Sequence, residues 1–200
     1  AIALSDDGRT LVFHASTPGG TSWLWRRRLG ERAVQPIAGS EGAISPVLSP
    51  DGTEVLFVLR NDRTSTMYRL PVRGGVPRAF VQGVPGNGQA SWGADGRVLF
   101  ALRDSLWIQG IDDGERRLLA GPDSARRHRS YGYPHLLPGG KDALVSIWVG
   151  SRTLDSIQIG VVSLTDGRVT ELGLRGTTPR FASSGELLYV AAEGTLFAAD

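Results

Sequence analysis

Short apolar runs alternate with tight polar turns along the whole chain. The runs are rich in β-branched and aromatic residues, as in Val55-Leu56-Phe57-Val58-Leu59 and Val98-Leu99-Phe100-Ala101-Leu102. Runs of this kind, bounded by Asp-Gly or Gly-Gly pairs, predict β-strands joined by hairpin turns. No window places its apolar residues at the spacing of a helix. The pattern therefore predicts an all-β chain with almost no helix.

The turns recur at a fixed interval. Five corners end in a glycine at positions 8, 52, 96, 140 and 185, so that successive glycines lie 44, 44, 44 and 45 residues apart. An apolar residue follows each of these glycines after four or five positions: Phe13, Phe57, Phe100, Leu144 or Val145, and Tyr189. Four short antiparallel strands in each interval are typical of a β-propeller blade. A two-sheet sandwich would not explain five equal periods.

The period divides the chain into blades within a single propeller domain, 1–200. We expect four complete four-stranded blades and a partial fifth, at 1–39, 43–83, 88–121, 131–173 and 177–200. The fifth has no candidate for an outer strand. Because a propeller closes by joining its ends, and an open strand edge pairs readily with other chains, we expect these residues to belong to a longer propeller of six or more blades.

The second corner carries a family resemblance. Leu48-Ser49-Pro50-Asp51-Gly52, followed by the apolar run from Val55, resembles the TolB-like repeats, a WD40-like β-propeller family. The resemblance extends over the whole chain and implies the fold. The first corner departs from the pattern with Asp6 in place of proline, the third has Ala94 there, and the fourth lacks the aspartate.

The order of the segments between the corners has a second resemblance. Three short segments follow one another in an order that resembles the C-terminal propeller of many bacterial serine/threonine protein kinases: Gly74-Gly75-Val76-Pro77, Tyr133-Pro134-His135-Leu136 and Gly194-Thr195-Leu196-Phe197. This resemblance implies a sensor or binding module, linked to domains outside this chain, on the extracytoplasmic side of a membrane-anchored protein; a cytoplasmic location stays open. Two alternatives also stay open: the substrate-gating propeller of a prolyl-oligopeptidase-type peptidase, and a free-standing periplasmic TolB-like scaffold.

Composition and charge exclude several classes of function. The chain has 22 basic and 20 acidic residues, a net charge of +2, and its arginines are spread rather than concentrated, so we expect no nucleic-acid binding. No apolar stretch is long enough to span a bilayer, so we expect no direct membrane insertion. The chain opens on Ala1-Ile2-Ala3-Leu4 and then becomes polar, without the pattern of a signal peptide.

No catalytic motif is present in the sequence. It has neither the Gly-x-Ser-x-Gly elbow of a serine hydrolase nor the glycine-rich loop, His-Arg-Asp and Asp-Phe-Gly of a kinase. Cysteine is absent, and His128 and His135 have no third ligand at a definable spacing, so we expect no metal site. We therefore expect no enzyme activity in this segment, no catalytic residue and no cofactor.

One segment is the candidate for binding. Residues 121–133 form the longest predicted connection and combine basic and aromatic side chains, a pairing that is enriched at protein interfaces. Loops on a rigid scaffold commonly hold binding residues. We therefore expect a protein or peptide partner with an acidic surface, although a solvated insertion with its tyrosines packed beneath it would give the same pattern. The candidate residues are Arg126, Arg127, His128, Arg129, Tyr131, Tyr133 and His135.

Overall fold

Each repeat folds into one small antiparallel sheet because its apolar runs alternate with tight turns, most of which contain glycine or aspartate, two residues that favour turn conformations. The computed structural model describes residues 1–16, 20–61, 64–87 and 89–199. Within these ranges the chain forms nineteen strands and one 3-10 turn at Leu154–Ser156. This confirms the expectation of an all-β chain with almost no helix. The described residues form five blades of a β-propeller, and the fifth of these has three strands.

Contacts divide the chain into two compact units, residues 1–88 and residues 89–200. The first unit contains two four-stranded sheets with the strands in sequence order. The strands of the first sheet are β1 (Ile2–Leu4), β2 (Thr10–Ser16), β3 (Ser22–Arg28) and β4 (Gln35–Pro36). Those of the second are β5 (Ile44–Leu48), β6 (Glu54–Arg60), β7 (Ser65–Pro71) and β8 (Arg78–Gln82). Their inner faces share one core that includes Leu24, Ile37, Phe57 and Leu70.

The second unit contains three sheets. The third sheet consists of β9 (Ala90–Trp92), β10 (Arg97–Leu102), β11 (Ser105–Gly110) and β12 (Arg116–Ala120). The fourth consists of β13 (His128–Leu136), β14 (Asp142–Val149), β15 (Ile157–Ser163) and β16 (Val169–Arg175). The fifth consists of β17 (Thr177–Phe181), β18 (Leu187–Val190) and β19 (Leu196–Ala199). The third and fourth sheets share a core that includes Leu99, Leu106, Val145 and Ile147.

The corners of the first two sheets are built from the same hydrogen bonds. Ser5 Oγ donates to Asp7 Oδ1 at 2.5 Å, and the Arg9 amide donates to the same oxygen at 2.9 Å. In the second sheet Ser49 Oγ donates to Asp51 Oδ1 at 2.6 Å. These serine hydroxyls lower the pKa of Asp7 and of Asp51. The repeated corner is therefore a local unit, in which the carboxylate closes the turn between the first two strands of a blade.

Candidate binding site

The predicted binding segment is a short loop followed by a strand. The loop is closed where Asp123 and His128 exchange main-chain hydrogen bonds, 3.1 and 2.8 Å long, and Asp123 Oδ1 accepts from the Ala125 amide at 3.0 Å. Arg127, in the last position of the loop, has a positive φ of 61°. The strand β13 begins at His128, so the expectation of a connection that continues to residue 133 is wrong. The alternation of β13 turns some candidate side chains inward and others outward.

His128 and Tyr131 point into the protein rather than into solvent. The His128 side chain is fully buried, and its Nδ1 lies 2.9 Å from the Tyr131 hydroxyl. Its Nε2 lies 2.7 Å from Glu171 Oε1. Burial, assisted by the negative charges of Asp123 and Glu171, raises the pKa of Tyr131 to about 12. The tyrosine keeps its proton. His128 and Tyr131 form a buried hydrogen-bonded pair, and the partly exposed carboxylate of Glu171 is the partner of the other ring nitrogen of His128.

Arg126 is a structural anchor of the loop. Its Nη1 donates to the carbonyl oxygen of Val169 in β16 at 2.6 Å, and its Nε lies 3.7 Å from Asp123 Oδ2. These contacts hold the loop against a strand that follows it by more than forty residues. Arg126 is not among the residues that line the adjacent cleft.

Tyr133 and His135 lie further along β13. The Tyr133 ring stacks on Trp148, with ring centroids 6.1 Å apart, and its amide donates to Gln89 Oε1 at 3.0 Å. Burial, together with the positive charge of Arg180, lowers the pKa of His135 to about 4. Its ring is therefore neutral near pH 7. Neither residue lines the cleft that forms beside the loop.

Arg127 and Arg129 project outward into that cleft, whose volume is about 460 Å³. The cleft, called here the arginine cleft, is lined by Pro122, Ser124, Arg127, His128, Arg129, Gly150 and Arg152. Arg129 Nε donates to the Gly150 carbonyl at 3.2 Å, and the Gly150 amide donates to the Arg127 carbonyl at 2.8 Å. These bonds join the loop to the segment that follows β14.

The absence of a side chain at Gly150 makes room for the Arg127 guanidinium. A Cβ atom at Gly150, whose φ is +74°, would lie only 2.7 Å from Arg127 Nη2. Among the residues that the structure describes, no hydrogen bond or ion pair holds the side chain of Arg127. The Arg152 guanidinium faces Asp104 with two hydrogen bonds of 3.0 and 2.7 Å.

The charge of the arginine cleft is strongly one-sided. Three arginines and no carboxylate are among its lining residues. A larger cleft of about 1040 Å³ lies in the first unit, but there five arginines stand beside four carboxylates. Two of those carboxylates, Asp7 and Asp51, also close the corners described above. In the smaller cleft Asp104, which is not a lining residue, pairs with Arg152, whereas no carboxylate pairs with Arg127 or Arg129 among the described residues. The smaller cleft is therefore the better site for an anion, because no carboxylate in its wall offsets the charge of these two arginines.

Sequence patterns missed part of this site. Arg152 and Gly150 lie in the turn after β14, and Asp104 and Glu171 lie on elements still further away in sequence. The signal that could have identified Arg152 is strand pairing: β13 and β14 are antiparallel neighbours, so the end of β14 must lie beside the start of β13.

Across the described ranges, no cluster of three or more His, Cys, Asp or Glu side chains could hold a metal ion. None of the helices in those ranges is long and apolar enough to cross a membrane.

Comparisons with known proteins show the fold. No family model matches the chain, and no curated protein matches it. The structure is similar to TolB from Acinetobacter baumannii, with a TM-score of 0.81 and 16% identity over 100% of this chain and 51% of that one. It is also similar to a putative TolB from Agrobacterium tumefaciens, with a TM-score of 0.75 and 18% identity over 99% of this chain and 79% of that one.

A third similar structure is the β-propeller domain of the Trilobed protease from Pyrococcus furiosus, described as having an open velcro topology. Its TM-score is 0.63, with 13% identity over 100% of this chain and 67% of that one. The present chain thus spans about half the length of TolB from A. baumannii. At these identities the comparisons show that the chain has a TolB-like β-propeller fold.

Proposed function

We propose that this chain is a non-catalytic binding module, and that its arginine cleft binds an acidic segment of a protein partner. The observation that carries the proposal is the one-sided charge of the cleft, with Arg127 held by no ion pair or hydrogen bond among the described residues. Guanidinium groups match carboxylates in shape and charge, and arginine is enriched where proteins bind one another. The scaffold beneath the cleft is rigid, because His128 and Arg126 tie the loop to β16.

A labelled hexaglutamate peptide, blocked at both ends, tests the site, with hexaglutamine as the neutral peptide. We expect the double variant R127A/R129A to bind hexaglutamate about 2- to 30-fold more weakly than the wild type, since two charge-assisted contacts are lost. The matched control is R78A/R168A, which removes the same charge from two exposed arginines outside the cleft. Equal binding by the two double variants would rule out the cleft as the site.

The module's place in a larger protein is a second part of the proposal. The order of the segments between the corners supports a role as the C-terminal sensor of a bacterial receptor-like serine/threonine kinase, outside the cytoplasm, with the signal passed to a covalently linked domain. Similarity to the propeller domain of a protease supports a different candidate, the gate of a peptidase. Similarity to TolB proteins supports a free-standing scaffold.

The coding sequence on either side of residues 1–200 distinguishes these candidates. We expect a kinase catalytic domain and a membrane-spanning segment upstream. A hydrolase domain downstream would replace this proposal with the gating role. A signal peptide with neither catalytic domain would instead identify a free-standing scaffold.

A further inference from the structure

Asp104 makes an exposed side-chain ion pair with Arg152, one of the arginines that line the arginine cleft. Its two carboxylate oxygens accept from both terminal nitrogens of Arg152, and the side chains remain 39% and 64% exposed. The carboxylate raises the pKa of Arg152. The third arginine of the cleft therefore already holds a carboxylate, supplied by the chain itself.

The position of Asp104 does not depend on this ion pair. Arg103 and Asp104 both have positive φ angles, 49° and 69°, and form the two-residue turn between β10 and β11. The Asp104 carbonyl accepts from the Tyr131 amide at 3.0 Å, which ties the turn to β13. The main chain thus holds Asp104 in place, and its side chain is free to leave Arg152 without any change in the fold.

We propose, on the basis of the binding function proposed above, that Asp104 is an internal competitor that occupies Arg152 until a carboxylate of the partner replaces it. The exchange breaks one arginine–carboxylate pair and forms another, while the Asp104 carboxylate returns to water. Exposed pairs of this kind are weak. The competition lowers the affinity of the cleft for an acidic segment. Arg152 already binds a carboxylate in a bidentate manner, and this geometry favours a carboxylate of the partner.

The substitution D104N removes the competitor and suits the turn, since asparagine tolerates positive φ. We expect D104N to bind hexaglutamate about two- to fivefold more tightly than the wild type. The matched control is D155N, three residues after Arg152. Asp155 is exposed, and among the described residues no hydrogen bond or ion pair holds its carboxylate. A gain of the same size in D155N would show a general charge effect and overturn the proposal.

A double-mutant cycle with R152A separates competition from repulsion. If Asp104 competes for Arg152, the gain from D104N falls to that of D155N when Arg152 is alanine. A full gain in the R152A background means that Asp104 only repels the peptide, and it overturns the proposal. Circular dichroism of each variant verifies that the fold is retained.

One further peptide, compared with blocked hexaglutamate, identifies the source of the carboxylate. Hexaglutamine with a free C-terminus gains affinity in D104N if the cleft takes a terminal carboxylate, whereas blocked hexaglutamate gains if it takes side chains. Binding of hexaglutamate by the wild type with no gain in D104N for either peptide overturns the competitor alone. If neither the wild type nor D104N binds hexaglutamate or the hexaglutamine with a free C-terminus, the proposed binding function is overturned as well.

Discussion

His128 Nε2 lies 2.7 Å from Glu171 Oε1, although β14 and β15 separate their strands in the sheet. The contact links the start of β13 to β16, and the Tyr131 hydroxyl completes the cluster on the other ring nitrogen. Buried polar groups are stabilising only when each has its partner. His128 and Tyr131 therefore support the candidate binding loop from the inner side of β13.

Removal of the His128 ring should destabilise the protein. We expect H128A to lower the free energy of unfolding by about 2–4 kcal/mol, because it leaves a cavity and an unpaired buried Tyr131 hydroxyl. Y131F, which removes only the hydroxyl, should cost about 1 kcal/mol. Urea denaturation measures both values. H14A is the control, since no side-chain hydrogen bond holds His14 among the described residues. If H14A lowers the free energy of unfolding as much as H128A does, the hydrogen bonds of His128 are not the cause of the loss.

Stability should depend on pH through His135. Burial lowers its pKa to about 4 in the folded protein, whereas an unfolded histidine titrates near 6.5. Between these values the unfolded chain binds a proton that the folded chain does not, so the free energy of unfolding decreases as the pH falls from 6.5 to 4. The loss amounts to at most about 3 kcal/mol and levels off below pH 4.

Denaturation at several pH values tests this dependence against H135Q, which removes the titrating group. We expect the difference in unfolding free energy between the two proteins to change across pH 4–6.5 and to be constant above pH 7.5. R180Q should reduce the change, because Arg180 contributes to the lowered pKa of His135. A difference that is constant throughout contradicts the prediction.

Two equivalent Asp-Gly turns should respond differently to the same substitution. Gly114 and Gly167 have φ angles of +70° and +74°, but a Cβ at Gly114 would meet no atom, whereas one at Gly167 would meet the carbonyl oxygen of Leu119. We expect G114A to cost about 1 kcal/mol through backbone strain. G167A should cost about 1–3 kcal/mol more, because the third and fourth sheets would be forced apart. Denaturation midpoints give the comparison, and equal losses would mean that the turn does not pack against β12.

The corners could be predicted because their interactions are local. Ser49, Asp51 and Gly52 lie within four residues, and their hydrogen bonds form whenever the turn forms. Repetition of this unit at a constant interval was sufficient to identify a propeller. The same repeat predicted the order of the strands and a fifth blade with fewer than four strands, and the last described sheet has three.

The candidate binding site could be predicted only in part. Arg127 and Arg129 were identified from composition, and both line the arginine cleft. His128 and Tyr131 were identified by the same argument but are buried, because the strand starts at His128 and not after residue 133. Arg152 was missed, since a lone arginine in a turn has no distinguishing pattern until strand pairing brings it to the loop.

By itself, the sequence determined the secondary structure, the repeat and the type of blade, because turn geometry and alternation act between residues close together in the chain. Only the tertiary structure decided which basic side chains share a cleft. Asp104 and Arg152 meet across more than forty residues because the third and fourth sheets pack together, whereas His128 and Glu171 meet across a similar separation within the fourth sheet. Interactions between residues close in sequence therefore determine the blades. Contacts between residues far apart in sequence determine which charged side chains face solvent and which are paired.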